Sequence, residues 1–369
     1  MKNRDNRPGR LIRSVKPLAL IAGLALALSA CGAPSAAPPG QAANNSPAAT
    51  GAAGGAAGGA GDKVVVGIGG QTLLTYLPTT LAQQLGYYKD EGVNVELQDL
   101  QGGSKALTAM IGGSTQVTSG YYEHTIQMQA KHQSIKAFAN MGLSSGLALV
   151  VAPKNEGTIK TIADLKGKNV GVTAPGSSTD MFIKYLLAQN GMQKTDAAVS
   201  AIGAGSSAVA AMEQGQVDAA VMLEPDVSVL TKRVGHAPVI LEDVRSAAGL
   251  KEVFDTDAWP SSSLYAKTEW LDANKETAGK LAKAIKKTLE FIAGHSGEEI
   301  AAKMPEKFAG GDKALYATVI EDLKKTLSKD GTFTENGVQA VLKTQQMANP
   351  EVGNKDIKLA DTYTNDFLK

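Results

Sequence analysis

The chain predicts an α/β protein whose body consists of two sheet-centred lobes facing each other across a cleft. Three observations carry this expectation. Short apolar runs alternate with helical periodicity from residue 63 to about residue 223. Gly- and Ser-rich turns stand repeatedly between a strand and the following helix, the order of a parallel-type sheet. About 300 residues remain once the first 61 are set aside, enough for two lobes of ordinary domain size.

The elements are taken in chain order. Residues 1 to 16 carry six basic side chains (Lys2, Arg4, Arg7, Arg10, Arg13, Lys16) against one acid, Asp5. Leu18 to Leu28 form an apolar core shorter than the roughly 20 residues of a membrane-spanning helix. The run closes on Leu28-Ser29-Ala30-Cys31, and Cys31 is the single cysteine of the chain. This stretch resembles the lipobox of a bacterial lipoprotein. That resemblance implies a signal peptide over 1–30, cleavage before Cys31, and lipid on its sulfur. The protein would then be extracytoplasmic and anchored to the cell membrane. Residues 31–61 continue with Ala, Gly, Pro, Ser, Asn and Gln and no aromatic residue. Such a segment cannot bury enough apolar surface to offset its ordering entropy, so a tether on the order of 30 Å end to end is expected.

Within the body, Lys63 to Ile68 reads as a strand, and Pro78 opens a helix that stops at Gly86. Asn94 to Leu97 alternates as a strand does, and Gly103-Ser104 leads into a helix through Ala106, Leu107, Met110 and Ile111. Thr115 to Thr118 is a strand, with a helix from Tyr121. Further strands are expected at 147–151, 169–173, 199–202 and 219–223, with helices at 178–190 and 205–214. Residues 274–293 place Leu281, Ile285, Leu289 and Ile292 on one helical face. The helices that follow are expected to wrap the first lobe.

Five turns concentrate the polar chemistry: Gly69 to Thr72, Gly102 to Ser104, Ser119 to Tyr122, Pro175 to Thr179 and Gly203 to Ser207. At the carboxyl edge of a parallel sheet such turns line the ligand-binding crevice, and a helix N-terminus there suits a polar or anionic group. Each turn can equally be a plain helix cap. Tyr76, Tyr121, Tyr122 and Trp259 could wall the cleft or pack within their own lobe. Glu224 could meet a ligand N–H or simply precede the helix opened by Pro225. Arg245 could face an anion or brace a crossover.

Several motifs point elsewhere. Gly142-Leu143-Ser144-Ser145-Gly146 fits G-x-S-x-G, but a strand follows it where a nucleophile elbow needs a helix. Gly203 to Ala208 fits G-x-G-x-x-A, with Glu224 about 20 residues on, so a dinucleotide-binding or other exported enzyme is the alternative reading. The export signal argues against a nicotinamide cofactor. No catalytic residue and no cofactor are expected. The four histidines (His124, His132, His236, His295) lack metal-ligand spacing, so no metal site is expected either. Removal of residues 1–30 leaves 31 basic and 35 acidic side chains, a net charge of −4, which gives no basis for nucleic-acid binding.

Longer stretches carry a family resemblance. Pro78 to Gly92 with Val93-Asn94-Val95 is similar to the opening of the nitrate/sulfonate/taurine-type (alkanesulfonate-binding-like) solute-binding proteins of ABC importers. Gly102 to Leu107, Tyr121 to Thr125, Ile162 to Val172, Gly176 to Thr179 and Val209 to Ala220 resemble further family segments in the same order. The resemblance implies a type II periplasmic-binding-protein fold: two Rossmann-like lobes joined by two crossover strands with a cleft between them. Lobe 1 would comprise 62–151 with 259–369 and lobe 2 152–245, with crossovers near Val150 to Pro153 and over 246–258. It also implies a protein that is not an enzyme but captures a small polar or anionic solute (sulfonate, taurine, nitrate or related). A permease with its ATPase would be the partner, and a monomer is expected. The expected ligand-contacting set is Gln71, Thr72, Tyr76, Gly103, Ser104, Tyr121, Tyr122, Ser144, Ser177, Ser178, Thr179, Glu224 and Trp259.

Overall fold

In the computed structural model the described residues are 63–369. The signal segment, Cys31 and the tether lie outside them. The elements run β1 (Val64–Ile68), α1 (Leu77–Gln84), α2 (Tyr87–Asp90), β2 (Val95–Asp99), α3 (Gly103–Ile111), β3 (Val117–Tyr121), α4 (Glu123–Ala130), β4 (Ile135–Asn140) and β5 (Ala148–Val151). They continue with β6 (Asn169–Val172), α5 (Ser178–Gln189), β7 (Ala198–Ala201), α6 (Ser206–Glu213), β8 (Ala219–Met222), α7 (Asp226–Val234), β9 (Ile240–Asp243) and α8 (Ala247–Phe254). The chain closes with β10 (Ser262–Lys267), α9 (Thr268–Ala273), α10 (Lys275–Gly294), α11 (Gly297–Lys303), α12 (Lys313–Leu323) and α13 (Glu335–Ala348).

The strands form two five-stranded sheets, ordered β2-β1-β3-β10-β4 and β7-β6-β8-β5-β9. Both are mixed rather than parallel throughout. β10 runs antiparallel to β3 and β4, and β5 runs antiparallel to β8 and β9. Each of these strands returns from the opposite lobe and enters its sheet from the far end. β5 therefore belongs to the second sheet, and the first crossover is the segment 141–147, earlier than the expected Val150 to Pro153. Lobe 2 thus begins at β5 and not at residue 152. The second crossover leaves β9 and returns to β10 by way of α8. The two crossovers run side by side, with Trp259 N–H donating to Leu143 O (2.8 Å) and Ser261 N–H to Gly142 O (3.0 Å).

The packing follows from residue type. β3 is buried along its whole length, as a central strand flanked by β1 and β10 must be. The expected stripe of α10 (Leu281, Ile285, Leu289, Ile292) is buried, against α1, α2 and β4 of lobe 1. α13 departs from the expectation that the C-terminal helices wrap lobe 1 alone: it packs on both α4 of lobe 1 and α5 of lobe 2.

Candidate functional site

The lobes meet along a seam formed by the turns singled out above. Gly102 and Gly103 open α3 in lobe 1, and Ser177 precedes α5 in lobe 2. Ser177 occupies an N-cap position but makes no cap bond to its own helix. Its hydroxyl instead accepts from Ser104 N–H across the seam (3.0 Å) and donates to Ser104 Oγ (3.2 Å). Ser104 Oγ donates to Pro175 O (2.9 Å). Farther along, Leu74 N–H donates to Glu224 O (2.9 Å). Such close approach demands small residues. A β-carbon on Gly102 would stand 2.9 Å from Ala174 Cβ, and one on Gly103 would stand 2.9 Å from His124 Cε1.

Three recesses lie along this seam. The central one is lined by Tyr76, Gly103 and Tyr121 from lobe 1 and by Ser177, Ser178 and Thr179 from lobe 2. It thereby unites six of the predicted residues. Beyond Leu147 and Ser178 the inner recess opens between Glu123 of α4, Phe182 and Tyr185 of α5, Phe254, Trp259, and Thr344 and Gln345 of α13. The rings form a continuous series: Tyr76–Tyr121 at 6.2 Å, Tyr121–Trp259 at 6.3 Å and the stacked pair Trp259–Phe254 at 5.5 Å. The outer groove is the roomiest, about 290 Å³, and includes Ser144 and Glu224. Its charged groups, however, are already paired, Asp322 with Lys325 (2.9 Å) and the other three with one another. Arg245 pairs with Asp243 (2.6 Å) and with Glu224, and Glu224 also accepts from Ser228 N–H (3.2 Å). Ser144 Oγ donates to Val244 O (2.6 Å). Arg245 therefore braces the region after β9, and the G-x-S-x-G serine ties the two crossovers together.

Several unspent polar atoms lie deeper, on α4 and α5, besides the Ser261 hydroxyl of the outer groove. Glu123 is 2% exposed and His124 is fully buried, yet Glu123 Oε1, His124 Nε2 and Asp180 Oδ1 have no hydrogen-bond partner. Buried polar atoms without partners are costly and rare. Burial drives the Glu123 carboxyl up to about 7, with the Ser178 hydroxyl and the Gln345 amide opposing the rise. Burial drives His124 down to about 4, so its imidazole is neutral at pH 7. His124 Nδ1 shares a hydrogen bond with the Tyr265 hydroxyl (2.8 Å). Neither residue is among the expected ligand contacts, although both lie in the Tyr121 to Thr125 segment that carries the family resemblance.

Other predicted residues fall away from the recesses. Tyr122 points into the lobe-1 core, its hydroxyl on Thr362 (2.6 Å) and its ring against Phe333. Tyr121 is the last residue of β3, whereas Tyr122 already has helical backbone (φ −53°, ψ −37°) ahead of α4, so the two side chains part company. Gln71 is fixed by Asp99 and Thr80. Thr72 abuts Gly205, whose positive φ of 71° and missing side chain admit it. The Gly203 to Ala208 turn is thus occupied by lobe-lobe contact, and Gly205 N–H donates to Asp226 (2.8 Å).

Two α/β lobes joined by a double crossover, with a polar seam between them, define the periplasmic-binding-protein fold. The profile of the family described as NMT1/THI5 like matches residues 75–299, and the chain belongs to that family. Its fold is shared with a protein of Bordetella bronchiseptica RB50 (TM-score 0.80, 39% identity, 83% of this chain and 95% of that one). It is shared also with the alkanesulfonate-binding protein SsuA of Xanthomonas axonopodis pv. citri bound to MOPS (TM-score 0.64, 16% identity, 84% and 100%). YtlA of Bacillus subtilis (strain 168), provisionally named a binding protein, is 26% identical over 255 residues, 68% of this chain and 72% of its own. The 4-amino-5-hydroxymethyl-2-methylpyrimidine phosphate synthase THI13 of Saccharomyces cerevisiae is 23% identical over 238 residues, 63% of this chain and 67% of its own.

Proposed function

We propose that this protein is the solute-binding component of an ABC importer, tethered outside the cell membrane by lipid on Cys31. It closes its two lobes on a small polar organic solute, within the range that includes sulfonates, taurine and nitrate, and presents the closed form to a permease driven by its ATPase. The observation that carries this reading is the seam itself. Residues from both lobes converge on it, Ser177 leaves its own helix unbonded to reach Ser104, and buried polar atoms stand there without partners. A clamp built this way gains its polar contacts and excludes water only when the lobes close. The reading involves no turnover.

Thermal-shift screening of the whole mature protein, purified in detergent, against a library of small solutes tests the proposal. A solute at 100 times its dissociation constant adds about 2.7 kcal/mol of stability. X-ray scattering with that solute should then show a smaller radius of gyration, and the solute should be recovered unchanged. Recovery of a product in the absence of any added enzyme would place the protein among catalysts.

A further inference from the structure

Resting on the solute-binding reading above, we propose that Glu123 and the aromatic walls of the inner recess form a subsite for a cationic nitrogen, so that the bound solute carries an ammonium or amidinium group. Glu123 lines the inner recess and is held in place by Gln345 Nε2, which donates to its Oε2 (2.8 Å), while its buried Oε1 makes no hydrogen bond. No Lys or Arg lines the inner or the central recess. Lys184 of α5 is taken up by Asp180 (2.8 Å). A purely anionic solute would meet an uncompensated carboxylate here. A cation would meet a charge-assisted acceptor, the kind of hydrogen bond that is short and strong in a dry site.

The walls suit the same group. Phe182, Tyr185, Phe254 and Trp259 line the recess, and their ring faces attract a desolvated cation. Tyr185 and Trp259 spend their own donors on Val253 O (2.9 Å) and Thr344 Oγ1 (3.3 Å). They therefore offer ring surface rather than hydrogen bonds. Ser178 lines both recesses, each about 10 Å³ with the lobes together, so a solute spanning from the Glu123 carboxyl to the start of α5 enters as the lobes part. That path fits a zwitterion, with its cation inward and its anion at the helix N-terminus.

The test uses matched pairs on the whole mature protein in detergent: taurine against ethanesulfonate, and benzamidine against benzoate. The nitrogen-bearing member of at least one pair should bind, with its partner weaker by about 10- to 150-fold, the loss of one hydrogen bond to a charged group. Glu123→Gln should erase that preference, and Glu123→Asp should keep it at lower affinity. The aspartate variant keeps the test decisive if the glutamine variant does not fold. Anions that bind the wild type as well as their nitrogen-bearing partners, unaffected by Glu123→Gln, would overturn this proposal and leave the solute-binding reading intact. Failure of every small solute in the wider screen to stabilise the protein would overturn both.

Discussion

Closing the clamp brings Gly102 against Ala174, and a single methyl group there should hold it ajar. In the closed seam a Gly102 β-carbon would stand 2.9 Å from Ala174 Cβ. Carbon atoms settle at about 3.5–4.0 Å, so the lobes must part by roughly 0.6–1.1 Å at this point. The Ser104–Ser177 bond, 3.0 Å long, lies two residues away and would be stretched past hydrogen-bonding range. Overpacking of this kind costs about 1–3 kcal/mol. Because the clash exists only between the lobes, the cost falls on the closed, solute-bound state. Gly102→Ala should therefore weaken binding about 5- to 150-fold, since each 1.4 kcal/mol is tenfold. The ligand-free melting temperature should change by no more than about 2 °C, as for a surface substitution. Gly102 has extended backbone (φ 178°), which alanine adopts without strain. Ala174→Gly removes the opposing methyl, and the next neighbours of the new β-carbon, at 3.5 Å and 3.7 Å, are in ordinary contact. The double variant should recover most of the lost affinity. Titration calorimetry with the solute that gives the largest thermal shift measures each variant. Unchanged affinity in Gly102→Ala, or a loss that Ala174→Gly does not relieve, would refute closure at this seam.

Other outcomes follow from the same geometry. Ser178→Ala should weaken binding about 5- to 150-fold through loss of one buried hydrogen bond to the solute. Thr179→Ala should instead lower stability by about 1–3 kcal/mol with affinity nearly intact, because Thr179 Oγ1 accepts from Thr173 N–H (3.0 Å); equal effects of the two on affinity would contradict this. Stability should also respond to pH through Glu123, whose folded carboxyl titrates at about 7 against an ordinary 4.5. Between those values the folded state keeps a proton that the unfolded chain has lost, so stability present at low pH is lost as pH rises, by about 1.4 kcal/mol per unit. His124 acts oppositely between its folded value of about 4 and the ordinary 6.5, and cancels when Glu123→Gln is compared with wild type by urea unfolding. The variant's relative stability should climb from pH 5 to 7.5, and parallel profiles would show that the carboxyl is not buried. Cys31→Ser should release the mature protein from membranes, because firm anchoring needs the lipid; sedimentation with membranes after a salt wash would count against lipidation.

Local periodicity made much of the framework legible in the residues alone. The apolar run from Val64 to Ile68, the Gly86 stop and the α10 stripe are short-range signals, and they survive folding because each side chain's direction is set within a turn or a strand. The polar turns were legible for the same reason: Ser177 and Ser178 stand where a helix must begin. Other features were decided only when distant segments met. β4, β9 and β10 carry weak patterns, and Ser262–Lys267 becomes a strand because β3 and β4 flank it on both sides. Tyr121 and Tyr122 look alike in sequence, and the turn from β3 into α4 between them sends one to the seam and the other to the core. Glu123 reads locally as an ordinary first-turn acid. It becomes a dry, half-partnered carboxylate because Gln345, 222 positions away on α13, covers it. The cost of burying a charge depends on what removes its water, and that is a property of the assembled lobes rather than of any stretch of chain.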